Sequence, residues 1–290
     1  MVKFRNSSGQ LSGNLEDRRA IGGRHVAAGG GVVGLVVVVL IQLLGGGGGG
    51  SGVDLTQIFS QIQTGGGGSG GTVDPAQQPL VQEMSDALDD VQGFWASDSG
   101  LGSRYTDAKL VLFTDSVSTG GCGNAPSSVG PFYCPADRTA YLDLSFFEEL
   151  TSRFGAPGDF AQVYVLAHEL GHHVQNLQGT SDKVSQQSEA DPSRANELSM
   201  RLELQADCYA GIWGRSAQSR GLIEPGDIEE GLGAAAAVGD DRLQAQAGVE
   251  VNAETWTHGS SASRQRWFKA GFASGDLASC DTFAVGADQL

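Results

Sequence analysis

Hydrophobic residues fall into three regimes along this chain. Residues 26–44 read VAAGGGVVGLVVVVLIQLL, 19 residues with one polar side chain, Gln42, and no charge. As a helix that run spans about 28 Å, close to the hydrocarbon thickness of a bilayer, so a transmembrane helix is expected there. Over residues 45–75 the apolar signal gives way to glycine, apart from an apolar patch at 53–62 able to form a short helix. Beyond residue 75 helical and strand periods take over. Leu80, Met84, Leu88 and Val91 recur at helical spacing within 78–95. KLVLF (109–113) and TAYLDL (139–144) read as strands, and helices are expected over 145–153, 159–178, 193–219, 225–239 and 263–274. The polar stretch 178–195 reads as a loop carrying a short helical piece at most. No internal repeat is visible. Few strands followed by a run of helices is an α+β layout, mostly helical with a small sheet.

Composition divides the chain in the same places. Of 44 glycines, 21 lie in the first 75 residues, a density that cannot build a packed core. One globular domain is therefore expected over 76–290, long enough for a single hydrophobic core. That part carries 13 basic against 30 acidic residues, whereas the first 25 residues are basic through Lys3, Arg5, Arg18, Arg19 and Arg24. So acidic a domain lacks the footprint needed to bind nucleic acid. Basic residues before the apolar run and none just after it place the amino terminus in the cytoplasm and everything beyond residue 44 outside. The expected order is a cytoplasmic basic tail (1–25), a transmembrane helix (26–44), a Gly-rich spacer (45–75) and the globular domain (76–290). A cleaved signal peptide and a buried core helix are the competing readings of 26–44.

Four cysteines, Cys122, Cys134, Cys208 and Cys280, form no C-x-x-C pair and allow three pairings. Cys122 and Cys134 flank a short loop rich in turn formers, which makes them the natural local pair and leaves Cys208 for Cys280. Free buried thiols are the alternative. In an extracytoplasmic domain, bridges are the expected state.

The candidate chemistry lies in 165–173, VLAHELGHH, where H-E-x-x-H falls within a helical pattern. His168 and His172 lie within about 40° of each other around a helix, one turn apart. They can chelate one Zn²⁺, with Glu169 beside them to act on a bound water. The opposite face carries Val163, Leu166, Leu170, Val174 and Leu177, which would anchor the helix. His173 points elsewhere and reads as structural. A catalytic zinc wants a third protein ligand and an open position. LELQADC (202–208) offers E-x-x-x-D, with Glu203 as the third ligand and Asp207 placed to hold a ligand ring by its free N–H. Glu197 and Asp207 are the reserve ligands, and exposed helix acids are the plain alternative. Thr257-His258-Gly259 with Arg264 follows. His258 could stabilise an oxyanion, and Arg264 could pair with Asp207 or Glu203; a turn histidine and a structural ion pair are the plainer readings. The strand at 139–144 could serve as an edge that holds an extended peptide.

Taken together, GPFYCPADRTAYLDLSFF (130–147), HELGHHVQNLQG (168–179), ELQADCYAGIW (203–213) and THGSSASRQRWF (257–268) resemble the bacterial neutral zinc metallopeptidase family, membrane-anchored and gluzincin-type. The resemblance runs from NLEDRR (14–19) to the last helix, over nearly the whole chain outside the glycine spacers. More distantly, the order of motifs is similar to the membrane heat-shock and prenyl-protein processing proteases. It implies a zincin-like domain with one Zn²⁺ on His168, His172 and Glu203, Glu169 as base, His258 as an auxiliary, and a peptide or protein substrate. Gly259 stands where those relatives usually show proline. The expectation is a single-pass, membrane-anchored zinc peptidase. A non-catalytic zinc-stabilised scaffold or partner-binding domain is the alternative, and a zinc hydrolase of non-peptide amides a third reading.

Overall fold

The computed structural model describes residues 2–4, 9–20, 73–98, 100–224 and 226–290. In chain order its elements are β1 (Leu15–Asp17), α1 (Gln78–Ser97), β2 (Lys109–Phe113), β3 (Ser116–Ser118), β4 (Asn124–Pro126), β5 (Phe132–Cys134), β6 (Thr139–Asp143), α2 (Ser145–Ser152), α3 (Asp159–Gln178), α4 (Thr180–Ala190), α5 (Ala195–Ser219), α6 (Asp227–Ala237), α7 (Asp240–Gln246) and α8 (Ser261–Ser274). The result is a mostly helical α+β fold with a small sheet.

The sheet runs β1-β2-β6-β5, with β1, β2 and β6 parallel and β5 antiparallel to β6. Strand alternation explains why KLVLF is apolar nearly throughout. Leu110 and Leu112 face the main helical core, while Val111 and Phe113 face a second cluster with Val117, Phe132 and Tyr141. The hairpin of β3 and β4 closes that second face, and the Cys122–Cys134 bridge ties its turn to the end of β5. β6 is hydrogen-bonded on both sides, by β2 and β5, so the strand at 139–144 is not the edge expected of it.

Helix packing is set by small residues. α5 crosses α3 where Gly171 meets Ala206: a Cβ on Gly171 would lie 3.0 Å from the Ala206 carbonyl oxygen. α5 meets α8 closer still, since a Cβ on Gly271 would lie 1.9 Å from the Cys208 carbonyl oxygen and one on Gly211 2.1 Å from that of Phe268. The anchoring face of α3 behaves as its spacing predicts: Val163, Leu166, Leu170 and Val174 are wholly buried. Residues 178–195, expected to be a loop, instead form α4. Gly179, at φ +73°, breaks it from α3, and Val184 then buries against Leu198 and Leu202. A single apolar contact point is too little for periodicity to reveal.

The expected membrane topology is overturned. Among the described residues no helix is long and apolar enough to cross a membrane; the stretch 26–44 and most of the 45–75 spacer lie outside the described residues. The amino-terminal segment meanwhile belongs to the domain it was expected to be separated from. Leu15, Glu16 and Asp17 pair in register with Leu110, Val111 and Leu112; Leu110 N–H donates to Asn14 and Arg18 N–H to Leu112. Strands hydrogen-bonded to each other cannot lie on opposite sides of a bilayer. A cytoplasmic amino terminus with an extracytoplasmic domain, joined by a single-pass anchor, is therefore not supported.

Candidate metal centre

α3 and α5 cross tightly enough at Gly171 and Ala206 to bring side chains one turn either side into contact. On α3 these are His168 and His172, whose ring centroids lie 4.8 Å apart; on α5 the partner is Glu203. His168 Nε2 lies 3.2 Å from Glu203 Oε2, and His172 Nε2 lies 3.4 Å from Glu203 Oε1. One donor atom from each residue falls within 4.8 Å of the others, a group that could hold a metal ion. Two imidazole nitrogens and a carboxylate suit zinc.

Electrostatics prepare these donors. Burial favours a neutral Glu203, but the two imidazoles beside it hold the carboxylate well below its ordinary range. Burial also disfavours a charged His168. Asp207 and Glu203 outweigh that and lift its pKa to about 9. Glu169, also buried, has its carboxyl pushed up by burial, with His168 and His172 opposing.

Behind His168, Nδ1 lies 2.8 Å from Asp207 Oδ1. Asp207 is fully buried and charge-paired with Arg264, and its Oδ1 also accepts the Tyr164 hydroxyl. Burial opposes an ionised Asp207; Arg264 first, then His168, keep it ionised. Behind His172 no carboxylate stands among the described residues. Gln175 Oε1 lies 2.8 Å from its Nδ1, a partner that no sequence motif singled out.

The remaining expected residues divide. His258 sits on a loop bound by Asp240, whose Oδ2 accepts the backbone N–H of Thr257, His258 and Gly259 and whose Oδ1 lies 3.1 Å from His258 Nδ1. Asp240 raises the His258 pKa against burial. His258 Nε2 has no hydrogen bond among the described residues. Gly259 adopts φ +89°, closed to proline, and a Cβ there would lie 3.2 Å from Cδ2 of Leu204, the neighbour of Glu203. His173 lies apart from the metal group and is fully buried. Its Nε2 donates to the Thr106 carbonyl at 2.6 Å, and its Nδ1 accepts from the Tyr133 hydroxyl at 2.8 Å, tying α3 to β5. Glu197 is taken up by Arg201 and Arg194. Cys208 is bridged to Cys280, as Cys122 is to Cys134.

A family model described as "Putative neutral zinc metallopeptidase" matches residues 3–283. The uncharacterized protein YpfJ of Escherichia coli (strain K12) is 46% identical over 234 residues, 80% of this chain and 81% of that protein. The uncharacterized protein Rv2575 of Mycobacterium tuberculosis (strain H37Rv) is 50% identical over 192 residues, 62% of this chain and 64% of that protein. No solved structure matches the chain.

Proposed function

The chain belongs to the neutral zinc metallopeptidase family, and from that premise we propose that it hydrolyses peptide bonds at the crossing of α3 and α5, with one zinc ion held by His168, His172 and Glu203. The observation that carries this reading is the convergence of three donor atoms beside Glu169, an acid that merely holding a metal would not require. When bound, zinc supplies a Lewis acid that polarises the scissile carbonyl and lowers the pKa of water.

The chain's own groups do the rest. Glu169 accepts the proton of the attacking water and delivers it to the departing amine; a carboxyl raised by burial is better matched to both transfers near neutral pH. Asp207, kept ionised by Arg264, accepts the Nδ1–H of His168 and keeps Nε2 directed at the ligand position. His258, with Nδ1 engaged by Asp240, has Nε2 available to donate to the oxyanion that develops from the carbonyl. The substrate is a peptide or protein.

The group holds three protein donors among the described residues, the number an open catalytic site uses where a closed structural site takes four. This favours a catalyst over the scaffold reading. The test is Glu169→Gln. Zinc content should be unchanged while hydrolysis of a peptide library by the zinc-loaded chain falls by about 10²–10⁴-fold. Undiminished hydrolysis would remove Glu169 from the chemistry, and a wild-type chain that binds zinc but cleaves nothing would return the site to a structural role.

A further inference from the structure

Building on the reading that His168, His172 and Glu203 hold the metal, we propose that Gln175 and Gln205 form a positioning relay for His172, anchored on the carbonyl of Cys280. The relay selects the ring tautomer that can bind metal.

A carboxylate behind a histidine can only accept, so Asp207 leaves His168 no choice of tautomer. An amide can face either way. With its NH₂ toward His172, Gln175 would require a bare Nδ1 and put the proton on Nε2, the atom that faces Glu203. The far partners decide the matter. Gln175 Nε2 lies 2.8 Å from the carbonyl oxygen of Leu202, which can only accept. The amide nitrogen must therefore face Leu202, and Oε1 must face the ring. The same Nε2 lies 3.1 Å from Gln205 Oε1. Gln205 is oriented by the same logic, because its Nε2 lies 3.0 Å from the carbonyl oxygen of Cys280. Two backbone carbonyls on different segments thus fix two amides, and the amides fix His172 with Nδ1–H and a bare Nε2.

Both glutamines are buried, at 0% and 6% exposure, so water cannot substitute for a lost partner. The anchor is itself pinned. Cys280 is bridged to Cys208, next to Asp207 on α5, while Thr282 Oγ1 donates to the Arg201 carbonyl at 2.7 Å and Arg201 Nη1 to that of Val285 at 3.0 Å. The carboxy-terminal segment is in this way connected to a metal ligand on α3 by an unbroken run of hydrogen bonds.

The test uses the full chain, with zinc affinity measured by competition against a chromogenic chelator and histidine-selective ¹⁵N NMR as a second readout. Gln175→Met keeps the length of the side chain and removes the acceptor. It should weaken zinc binding about 10–100-fold and shift the His172 ring ¹⁵N signals toward the Nε2–H tautomer, with the Nδ1–H of His168 unaffected. Gln205→Met should move both readouts the same way by less, and it serves if the first variant fails to fold. Zinc affinity and a His172 signal unchanged in the folded variants would overturn the relay. A wild-type chain that binds no zinc would instead bring down the three-ligand reading on which the relay rests.

Discussion

Arg264 on α8 grips both carboxylate oxygens of Asp207 on α5, Nε to Oδ2 at 2.8 Å and Nη2 to Oδ1 at 2.9 Å, with 3% and 0% of the two residues exposed. A pair this deep contributes little net stability when intact, but losing one member strands the other charge in the interior. Arg264→Met should cost about 3–5 kcal/mol in denaturant unfolding at neutral pH. Adding Asp207→Asn should recover part of that loss, since the two residues are directly coupled. A single variant as stable as wild type would show that Asp207 is not ionised in the folded chain.

Gly271→Ala tests how closely α8 must approach α5. Its new Cβ would fall 1.9 Å from the Cys208 carbonyl oxygen, so the helices must part. The expected loss is at least about 2 kcal/mol, accompanied by weaker zinc binding because Arg264 moves with α8. Gly93→Ala is the control. It lies in α1 with nothing within 4 Å of the added carbon, and helix propensity should raise stability by up to about 1 kcal/mol. Thermal unfolding of the two variants would separate crowding from propensity.

Glu83 gives the fold a pH dependence away from the metal group. Burial, then the charge of Asp159, raises its pKa from 4.5 to about 7, and its Oε1 has no hydrogen-bond partner among the described residues. Between those values the folded chain binds more protons than the unfolded one, so this group's contribution falls as pH rises from 4.5 to 7 and stays low above. Glu83→Gln should therefore be more stable than wild type at pH 8, by about 1–2 kcal/mol once solvent screening of a partly buried side chain is allowed for. At pH 4.5 the two should converge. A gain that is the same at both values would trace to packing and not to charge.

Opening the Cys208–Cys280 bridge should be felt at the metal. Closing a loop of 72 residues stabilises the fold by about 4 kcal/mol, and the bridge also steadies the carbonyl that orients Gln205. Reduction in chain that remains folded should loosen zinc by up to about tenfold, read by chelator competition, and should have no such effect in Gln205→Met. Equal loosening in both would indicate a route through Asp207, beside Cys208.

The candidate metal group was largely legible in the sequence because its spacing is a property of single helices. His168 and His172 share a face by four-residue spacing, and Glu203 and Asp207 do so on α5. Gln175 and Gln205 were not legible, since an amide acquires direction only from partners on other segments, here Leu202 and Cys280. Likewise, KLVLF announces a strand buried on both faces. Leu-Glu-Asp at 15–17 announces no strand, being three residues long with one apolar side chain; its pairing with β2 is set by tertiary contact alone. Asp240 carries no signal in the sequence for the same reason, as its partners at 257–259 lie well along the chain.

That short first strand has a practical consequence for anyone who would trim the gene. A shortened chain beginning at Val73 looks attractive, since it discards the glycine-rich and apolar stretches and keeps every proposed metal donor. It would also unzip β1, baring the Leu110–Leu112 backbone as a raw sheet border, and would delete Arg19, which sits buried with Asp17 and Gln77. Uncovered borders of that kind recruit other chains. Soluble aggregates of such a product would report the missing strand, and its inactivity would say nothing about the chemistry.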